Sequence, residues 1–463
     1  MKNFKKTKTD KLQVLILCGA VLAMTVLRLS VATSGALNEN EALLTVCAAH
    51  PAGGYIEGPA GVPLLLFLKQ LLFGPGVVAL RCLSPVSLLL LSWSVWWIAR
   101  RIAPHRPSIA LWSVLVFNLL PMVNIASLVM DGAVMTATFI ILAVVTGWNA
   151  VEARERKGHG KFTPWILFGS ALGIGTLFYY PIGFLLPVVL AARFASQGVK
   201  SFPWHGLLIA LALLIMGWVL PLSWNARHNW IQWSSVASGF DSIHYGSMNF
   251  SPGLVVAVSA LLVPFLVRLA YSAGWWCRIL VGLVLVMAAG SFLSLLSPSL
   301  IPDWLPAPIG IRGTDELAKT VVRFRAERPD SRGGKFFIIA STPGLAALLG
   351  EKIVIDYPER PGAPSVFAAE SPSLNSSFAL WPSYADAVAA GVKDPLYTEE
   401  KTISPFMGRN ALYITMESKE ELPQTIKGAF GAVALLKEMP LNWNGREVMI
   451  RIYQCEGYRT LSL

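Results

Sequence analysis

The sequence predicts an all-α polytopic membrane bundle with a C-terminal extracytoplasmic α/β domain. Three observations predict it. Hydrophobic residues make up 54% of the 463 and charged residues 14%, with mean hydropathy +0.56. A soluble domain carries about 25% charged residues, so this chain is far too poor in charge to be one. The apolar residues are also grouped in blocks of about 20, the length that crosses a bilayer core. After Pro298 the pattern changes to short strand-like runs separated by helical ones.

About nine spans are expected, near 12–33, 78–99, 107–124, 132–150, 164–178, 181–197, 205–223, 252–270 and 278–297. The first reads as an uncleaved helix, since it is long and has no clear small-residue cleavage site. The connectors alternate in charge. One set holds Lys2, Lys5, Lys6, Lys8 and Lys11, then Arg100, Arg101 and Arg106, then Arg154, Arg156, Lys157 and Lys161, then Arg193, Lys200, Arg268 and Arg278. The other set holds only Arg28, Lys69, Arg81 and Arg227. By the positive-inside rule the first set is cytoplasmic. With the N-terminus inside, an odd number of spans puts residue 298 onward outside.

The basic excess belongs to this membrane part. Residues 1–297 hold 20 of the 38 Lys+Arg and 8 of the 27 Asp+Glu, leaving 18 and 19 for residues 298–463. That division is a topology signal and not a nucleic-acid footprint, so no nucleic-acid partner is expected. The five cysteines, Cys18, Cys47, Cys82, Cys277 and Cys455, form no C-x-x-C pair. A disulfide framework or zinc site is therefore not expected.

The domains expected are 1–297, a transmembrane domain with ordered outer loops at 34–77, 125–131 and 224–251, and 298–463, the extracytoplasmic domain. Residues 61–73 are apolar but too short to span, and suit an interfacial helix. In the tail, 335–340, 352–356, 411–415, 432–436 and 447–453 read as strands. Residues 314–327, 343–350 and 419–428 read as helices. The segments 378–384 and 404–410 combine aromatic, Pro and Arg residues; packed loops or a lid over the membrane site both fit.

The chemistry is expected on the outer side. Glu41, Glu57 and Asp131 are acids at predicted helix ends, and Arg81 opens the second span. A carboxylate can take a proton from an attacking hydroxyl, and a guanidinium can hold a leaving phosphate. A membrane enzyme acting on a lipid phosphate needs both.

Residues 40–60, NEALLTVCAAHPAGGYIEGPA, resemble the first outer loop of bacterial polyprenyl-phosphate-dependent glycosyltransferases of the integral-membrane GT-C class. That class includes dolichyl-phosphate-mannose protein mannosyltransferases and the lipid A aminoarabinose transferase. Glu41, Ala42, His50, Gly54, Tyr55 and Pro59 match the loop without a gap. Arg81 matches an Arg opening the next helix, and Arg100 and Arg101 match a basic pair closing it. Asp131 falls where the family has Thr-Pro-Asp. Residues 221–230, PLSWNARHNW, resemble the family's Trp-Asn-x-x-His-x-Trp loop. The chain also departs from the pattern. Asn40 stands where the family has its first Asp, usually the catalytic base. Gly58 and Ala60 replace a His and a Pro, and Tyr179-Tyr180 replaces a common Lys.

The resemblance implies a GT-C-like bundle and transfer of a sugar from a polyprenyl-phosphate donor to an extracytoplasmic acceptor, which is a lipid, glycan or protein. It implies Glu41, Asp131 and Glu57 as catalytic residues. It implies Asn40, Tyr55, Arg81, Tyr179, Asn225, Arg227 and His228 as substrate-binding residues. The partners are then a polyprenyl-phosphate-linked sugar, membrane lipid and the acceptor, at the inner (plasma) membrane. No cofactor is firmly implied: a divalent cation occurs in related oligosaccharyltransferases, but the spacing here shows no ligand set.

Other roles stay open for each residue. Glu41 can be an N-terminal helix charge, Asp131 a cap, and Arg81 a snorkelling interfacial residue. Trp224–Trp233 can be an aromatic belt, and Tyr55 can pack or stack on a sugar. A catalytically silent envelope-assembly scaffold is the alternative function, supported by Asn40 and Tyr179. A transporter is a further one, although the acids gather at one face rather than at the midplane. The transferase reading requires Glu41, Asp131 and Arg81 to converge. It also predicts that Arg81→Ala lowers sugar transfer more than Lys69→Ala, as measured in a transfer assay; equal activity of the two argues against it.

Overall fold

The computed structural model describes residues 8–32, 37–74, 80–152, 162–197, 204–233, 252–272, 314–328, 335–353, 362–370, 376–385, 388–389, 402–403, 406–416, 422–443 and 446–459, with isolated positions 282, 286 and 290. The chain folds into two compact units. One comprises 1–34, 52–54 and 58–308; the other comprises 35–51, 55–57 and 309–463. The chain therefore leaves the helical unit after the first span, contributes two pieces to the other unit, and returns.

The helical unit is built of α1 (Lys8–Ala32), α3 (Gly61–Phe73), α4 (Leu83–Ile102), α5 (Pro107–Leu119), α6 (Pro121–Leu128), α7 (Ala133–Glu152), α8 (Thr163–Thr176), α9 (Leu185–Gln197), α10 (Trp204–Arg227) and α11 (Pro252–Ser272). Helix α2 (Glu39–Ala49) lies in the other unit. Among the described residues, five helices, α1, α4, α7, α10 and α11, are long and apolar enough to cross a membrane. The expected span 107–124 is instead a pair, α5 and α6, bent by 60°. Pro121 has no N–H and starts a new helix rather than continuing the old one. The spans expected at 164–178 and 181–197 form helices of 14 and 13 residues, separated by a 3-10 turn at Tyr180–Phe184 that contains Pro181. The stretch 278–297 lies outside the described residues, apart from those isolated positions. Residues 61–73 form the short apolar helix read from the sequence, with Leu68, Leu71, Leu72 and Phe73 exposed.

The core of this unit is largely aliphatic, running through Leu88, Leu91, Val95, Ile98, Phe117, Ile141, Phe168, Leu172 and Val256. Helix α10 packs on α8 through small residues. A Cβ on Gly217 would lie 2.1 Å from the carbonyl oxygen of Gly173, and one on Gly173 would lie 2.3 Å from that of Leu213. In apolar surroundings helices gain mainly from close van der Waals packing, which small residues permit.

Arginines satisfy the last carbonyls of four of these helices. A helix leaves its final C=O groups without intrahelical donors, and its C-terminus carries negative partial charge. Arg81 Nη1 donates to Ala32 O at the end of α1 (2.7 Å). Arg268 Nη1 donates to Ile102 O at the end of α4 (2.8 Å). Arg193 Nη1 donates to Ala150 O and Val151 O at the end of α7 (3.0 and 2.7 Å). Arg28 Nη2 donates to Asn118 O at the end of α5 (2.7 Å).

The second unit is α/β. Its main sheet runs β2 (Phe367–Ala368), β1 (Phe337–Ala340), β5 (Ala411–Thr415), β7 (Arg446–Tyr458), β6 (Phe430–Trp443). Strand β1 is parallel to both neighbours; β7 is antiparallel to β5 and to β6. A separate antiparallel pair joins β3 (Val388–Ala389) and β4 (Thr402–Ile403). Helices α12 (Thr314–Glu327), α13 (Pro343–Lys352) and α14 (Gln424–Lys427) complete it. Phe337, Phe367, Tyr384, Phe406, Phe430 and Tyr458 pack ring against ring as its aromatic core. The strands expected at 335–340, 411–415, 432–436 and 447–453 are all present. Of the strand expected at 352–356, Lys352 instead ends helix α13, and 354–356 lie outside the described residues, as do 419–421 of the helix expected at 419–428. Helix α2 packs on α13. A Cβ on Gly344 would lie 2.9 Å from Glu39 Cβ, so only glycine allows the approach, and it brings the Glu39 carboxylate to the positive N-terminal turn of α13.

The α8–α10 contact yields a prediction. Gly217→Val should lower stability by about 1–3 kcal/mol or more, because the clash is with backbone. Gly19→Val, whose added Cβ meets nothing within 4 Å, should be neutral. Thermal unfolding of the detergent-solubilised protein compares them.

Candidate functional site

The site residues read from the sequence fall into two sets. The first belongs to the α/β unit: Asn40, Glu41, Tyr55 and Glu57. Helix α2 begins with a capping box. Asn38 Oδ1 accepts from Glu41 N (2.8 Å), and Glu41 Oε2 accepts from Asn38 N (3.1 Å). Each side chain supplies an acceptor to an otherwise unpaired backbone donor. The Glu41 residue is fully buried, whereas Asn40 is exposed on the same first turn. Tyr55 is buried, and its hydroxyl donates to Cys47 O and His50 O (2.9 and 3.0 Å), closing the end of α2. His50 stacks on Trp381 with ring centroids 4.4 Å apart, and its Nε2 lies 3.0 Å from Gly362 O.

Glu57 is held by the turn at 376–377. One carboxylate oxygen accepts from Ser376 Oγ (2.7 Å) and Ser377 N (2.8 Å), and the other accepts from Ser377 Oγ. Ser377 Oγ in turn accepts from Ile56 N (2.9 Å). Burial first, and then the charge of Glu57, push the Cys47 thiol up from its ordinary range, so it stays protonated.

The second set belongs to the helical unit. Arg81 is buried, one turn before Ser84 of α4. Ser84 Oγ donates to Val129 O (3.0 Å), two residues before Asp131. The Arg81 and Asp131 segments are thus joined at the start of α4. Asp131 is exposed, and its Oδ1 accepts from Ala133 N (2.8 Å) at the start of α7, across Gly132 in the left-handed region at φ +86°. The neighbouring chain ends gather here too. Thr136 Oγ1 lies 3.4 Å from Phe178 O, next to Tyr179, and Gly61 N donates to Leu177 O (2.6 Å).

Asn225, Arg227 and His228 close α10. Asn225 is fully buried; its Nδ2 donates to Pro221 O and to Gln232 Oε1 (3.0 and 2.9 Å), and Tyr180 Oη donates to the same Gln232 oxygen (3.1 Å). Asn225 Oδ1 is buried with no hydrogen-bond partner among the described residues. His228 stacks on Trp224 at 4.2 Å, and its Nδ1 lies 2.8 Å from Trp224 O. Arg227 is exposed. Asn229 and Trp230 take positive φ (53° and 56°), and Trp230 N reaches back to Asn225 O (2.9 Å). A bulky residue in that region is strained, and such strain gathers at functional sites. The rest of the loop expected to 251 lies outside the described residues. No group of three or more His, Cys, Asp or Glu able to hold a metal occurs among the described residues.

Four contributors lie outside the set expected from the sequence: Arg28, Ser376, Ser377 and Gln232. Arg28, buried between Asn118 and Asn124, was visible as a charge inside an apolar span, which is a functional signal by default. Ser376 and Ser377 carried no signal, because a serine pair in a loop is commonplace. Gln232 was hidden among aromatic residues.

These features define a polytopic helical membrane protein with an appended α/β unit. Residues 57–219 match the family model described as dolichyl-phosphate-mannose-protein mannosyltransferase. The fold is that of ArnT from Cupriavidus metallidurans. The crystal structure of its apo state superposes with a TM-score of 0.54 at 12% identity, covering 95% of this chain and 97% of that one. The structure bound to undecaprenyl phosphate superposes with a TM-score of 0.54 at 13% identity and the same coverage. At that identity the likeness is one of fold. No curated protein matches the chain. The family model begins at residue 57, near the end of the 40–60 loop, and the shared architecture extends over 95% of the chain.

The Glu57 anchor can be tested directly. Glu57→Ala strands three donors, and losing a charge-assisted set of this kind costs about 2 kcal/mol. Hydrogen exchange in residues 376–381 should rise in Glu57→Ala and less in Glu57→Gln. Unchanged exchange in both would remove the anchor.

Proposed function

We propose that this chain is a membrane glycosyltransferase that moves one sugar from a polyprenyl-phosphate donor to an acceptor outside the cytoplasm. The observation that carries the reading is the match of residues 57–219 to a mannosyltransferase family model within a fold shared over 95% of the chain. One of the matched crystal structures holds ArnT bound to undecaprenyl phosphate; a polyprenyl phosphate is the donor lipid proposed here. The protein sits in the inner membrane, with the N-terminus cytoplasmic and the α/β unit outside.

In the proposed reaction an acceptor hydroxyl attacks the anomeric carbon. The bond from that carbon to the phosphate oxygen breaks, and the lipid phosphate leaves with the electron pair. The hydroxyl proton passes to a carboxylate. Glu41 is the proposed base, with Asp131 assisting and Glu57 anchoring the loop that carries Tyr55. Arg81 offsets the phosphate charge. Asn40 and Arg227, both exposed, are available to polar groups of the substrate. Asn225, whose buried oxygen has no partner among the described residues, is suited to accept from a sugar hydroxyl, because an unmatched buried acceptor costs about 1–3 kcal/mol until a donor arrives. His228 follows Arg227, and Tyr179 precedes Tyr180, which shares Gln232 with Asn225; both complete the proposed substrate-binding set.

A catalytically silent scaffold is favoured by one observation. The Glu41 carboxylate serves the α2 capping box, and Asn40 offers no base beside it. Glu41→Gln separates the two readings, since glutamine satisfies a capping box but is not a base. Thermal unfolding should be unchanged. Transfer from a polyprenyl-phosphate sugar should fall by about 100-fold or more, the range of general-base effects. Asp131→Asn should fall less. Full activity in Glu41→Gln would rule out Glu41 as base, and full envelope function in both variants would favour the scaffold.

A further inference from the structure

We propose that Arg28 is a positioning residue that sets the bend between α5 and α6 and, through α6, the placement of Asp131. The consequence for sugar transfer rests on the function proposed above; the structural claim does not.

Arg28 lies in α1 and is 2% exposed. Its guanidinium spans the break in the bent pair. On one side Nη1 donates to Asn118 Oδ1 (2.9 Å) and Nη2 to Asn118 O (2.7 Å), in the last turn of α5. On the other side Nε and Nη2 both donate to Asn124 Oδ1 (3.1 and 2.7 Å), in the first turn of α6. Between them stands Pro121, where the axis turns by 60°. In a continuous helix the Asn118 carbonyl would accept from the N–H four residues on. Here the guanidinium donates to it instead.

The two amides are held in the orientation that serves the guanidinium. Asn118 Nδ2 donates to Val114 O and Ser92 Oγ (3.0 and 2.9 Å), and Asn124 Nδ2 donates to Leu120 O (3.2 Å). Flipping either amide would face its oxygen to a carbonyl and its NH2 to the guanidinium. Each Oδ1 is therefore committed to Arg28. A planar fork with five donors bridges two such acceptors in a fixed geometry; a lysine ammonium, with three donors on one freely rotating atom, does not fix it.

Helix α6 ends at Leu128, three residues before Asp131. Eight residues at 1.5 Å rise make a lever of about 12 Å. A change of about 10° at the bend would swing its far end by about 2 Å, and a functional group has to be held within about 0.5 Å. The Ser84–Val129 hydrogen bond holds the far end, and Arg28 holds the near one.

The test compares Arg28→Lys, Arg28→Met, Asn124→Leu and the Arg28→Met/Asn124→Leu double variant, each as the full chain in detergent. Hydrogen exchange in residues 120–132 should quicken at least tenfold in Arg28→Lys. Peptides from α8 and α10 should stay within about twofold. The double variant should be no worse than Arg28→Met alone, because both remove one bridge. With a polyprenyl-phosphate sugar as donor, kcat should fall at least tenfold while KM changes by less than threefold. Unchanged exchange in 120–132 for Arg28→Lys, or additive effects in the double variant, would overturn the proposal. So would a loss of protection spread evenly over the helical unit, which is what a merely stabilising residue would give. Local loosening in a protein whose wild type transfers no sugar would keep the positioning role and sink the function.

Discussion

An apolar bundle with ends and breaks in its helices has to find donors for the carbonyls those ends leave bare. An unsatisfied backbone group in hydrocarbon costs several kcal/mol. This chain meets that constraint with arginine. Arg28, Arg81, Arg193 and Arg268 each reach across to the closing turn of a different helix. The guanidinium suits the task because it carries several donors on a long stem and brings positive charge to the negative end of the helix. These contacts tie α1 to α4 and to the bent pair, α7 to α9, and α4 to α11. The rest of the helical unit is arranged around helices so joined.

The same constraint shapes the candidate chemistry. The ends that need donors at one end of the bundle are also the ends that bear Arg81, Asp131 and Tyr179. A group recruited to close a helix is held rigidly, which suits a residue meant to meet a substrate. It is also partly committed. Arg81 serves the end of α1 and Glu41 serves the start of α2, so each combines a structural duty with its proposed chemical one. The α/β unit repeats the logic with hydroxyls and carboxylates: Tyr55 closes the end of α2, and Glu57 gathers three donors from Ser376 and Ser377.

Much of the fold was legible because it rests on local pattern. Apolar length marked α1, α4, α7, α10 and α11, and short apolar runs marked β1 and β5. The span read at 107–124 came out bent at Pro121, because hydropathy windows average over such a break, and the span read at 181–197 starts its α-helix only at Leu185, after a 3-10 turn that contains Pro181. The candidate acids were legible from their place in the chain. Their partners were not: nothing in a serine pair near residue 376 announces that it holds a glutamate more than 300 positions away.

The sequence alone determined that this is a polytopic membrane chain with an α/β tail, because hydropathy and charge are sums over residues and need no geometry. It also placed Glu41, Glu57, Asp131 and Arg81 at the ends of segments. Only the tertiary structure decided that residues 35–51 and 55–57 fold with the distant C-terminal part. It alone showed that Arg28 bridges two asparagines across a break, and that glycines 173 and 217 bring two helices into backbone contact. Those are facts of approach between residues far apart in the chain. Hydrogen bonds and steric contacts act over a few ångströms of space, and sequence order does not specify which groups come that close.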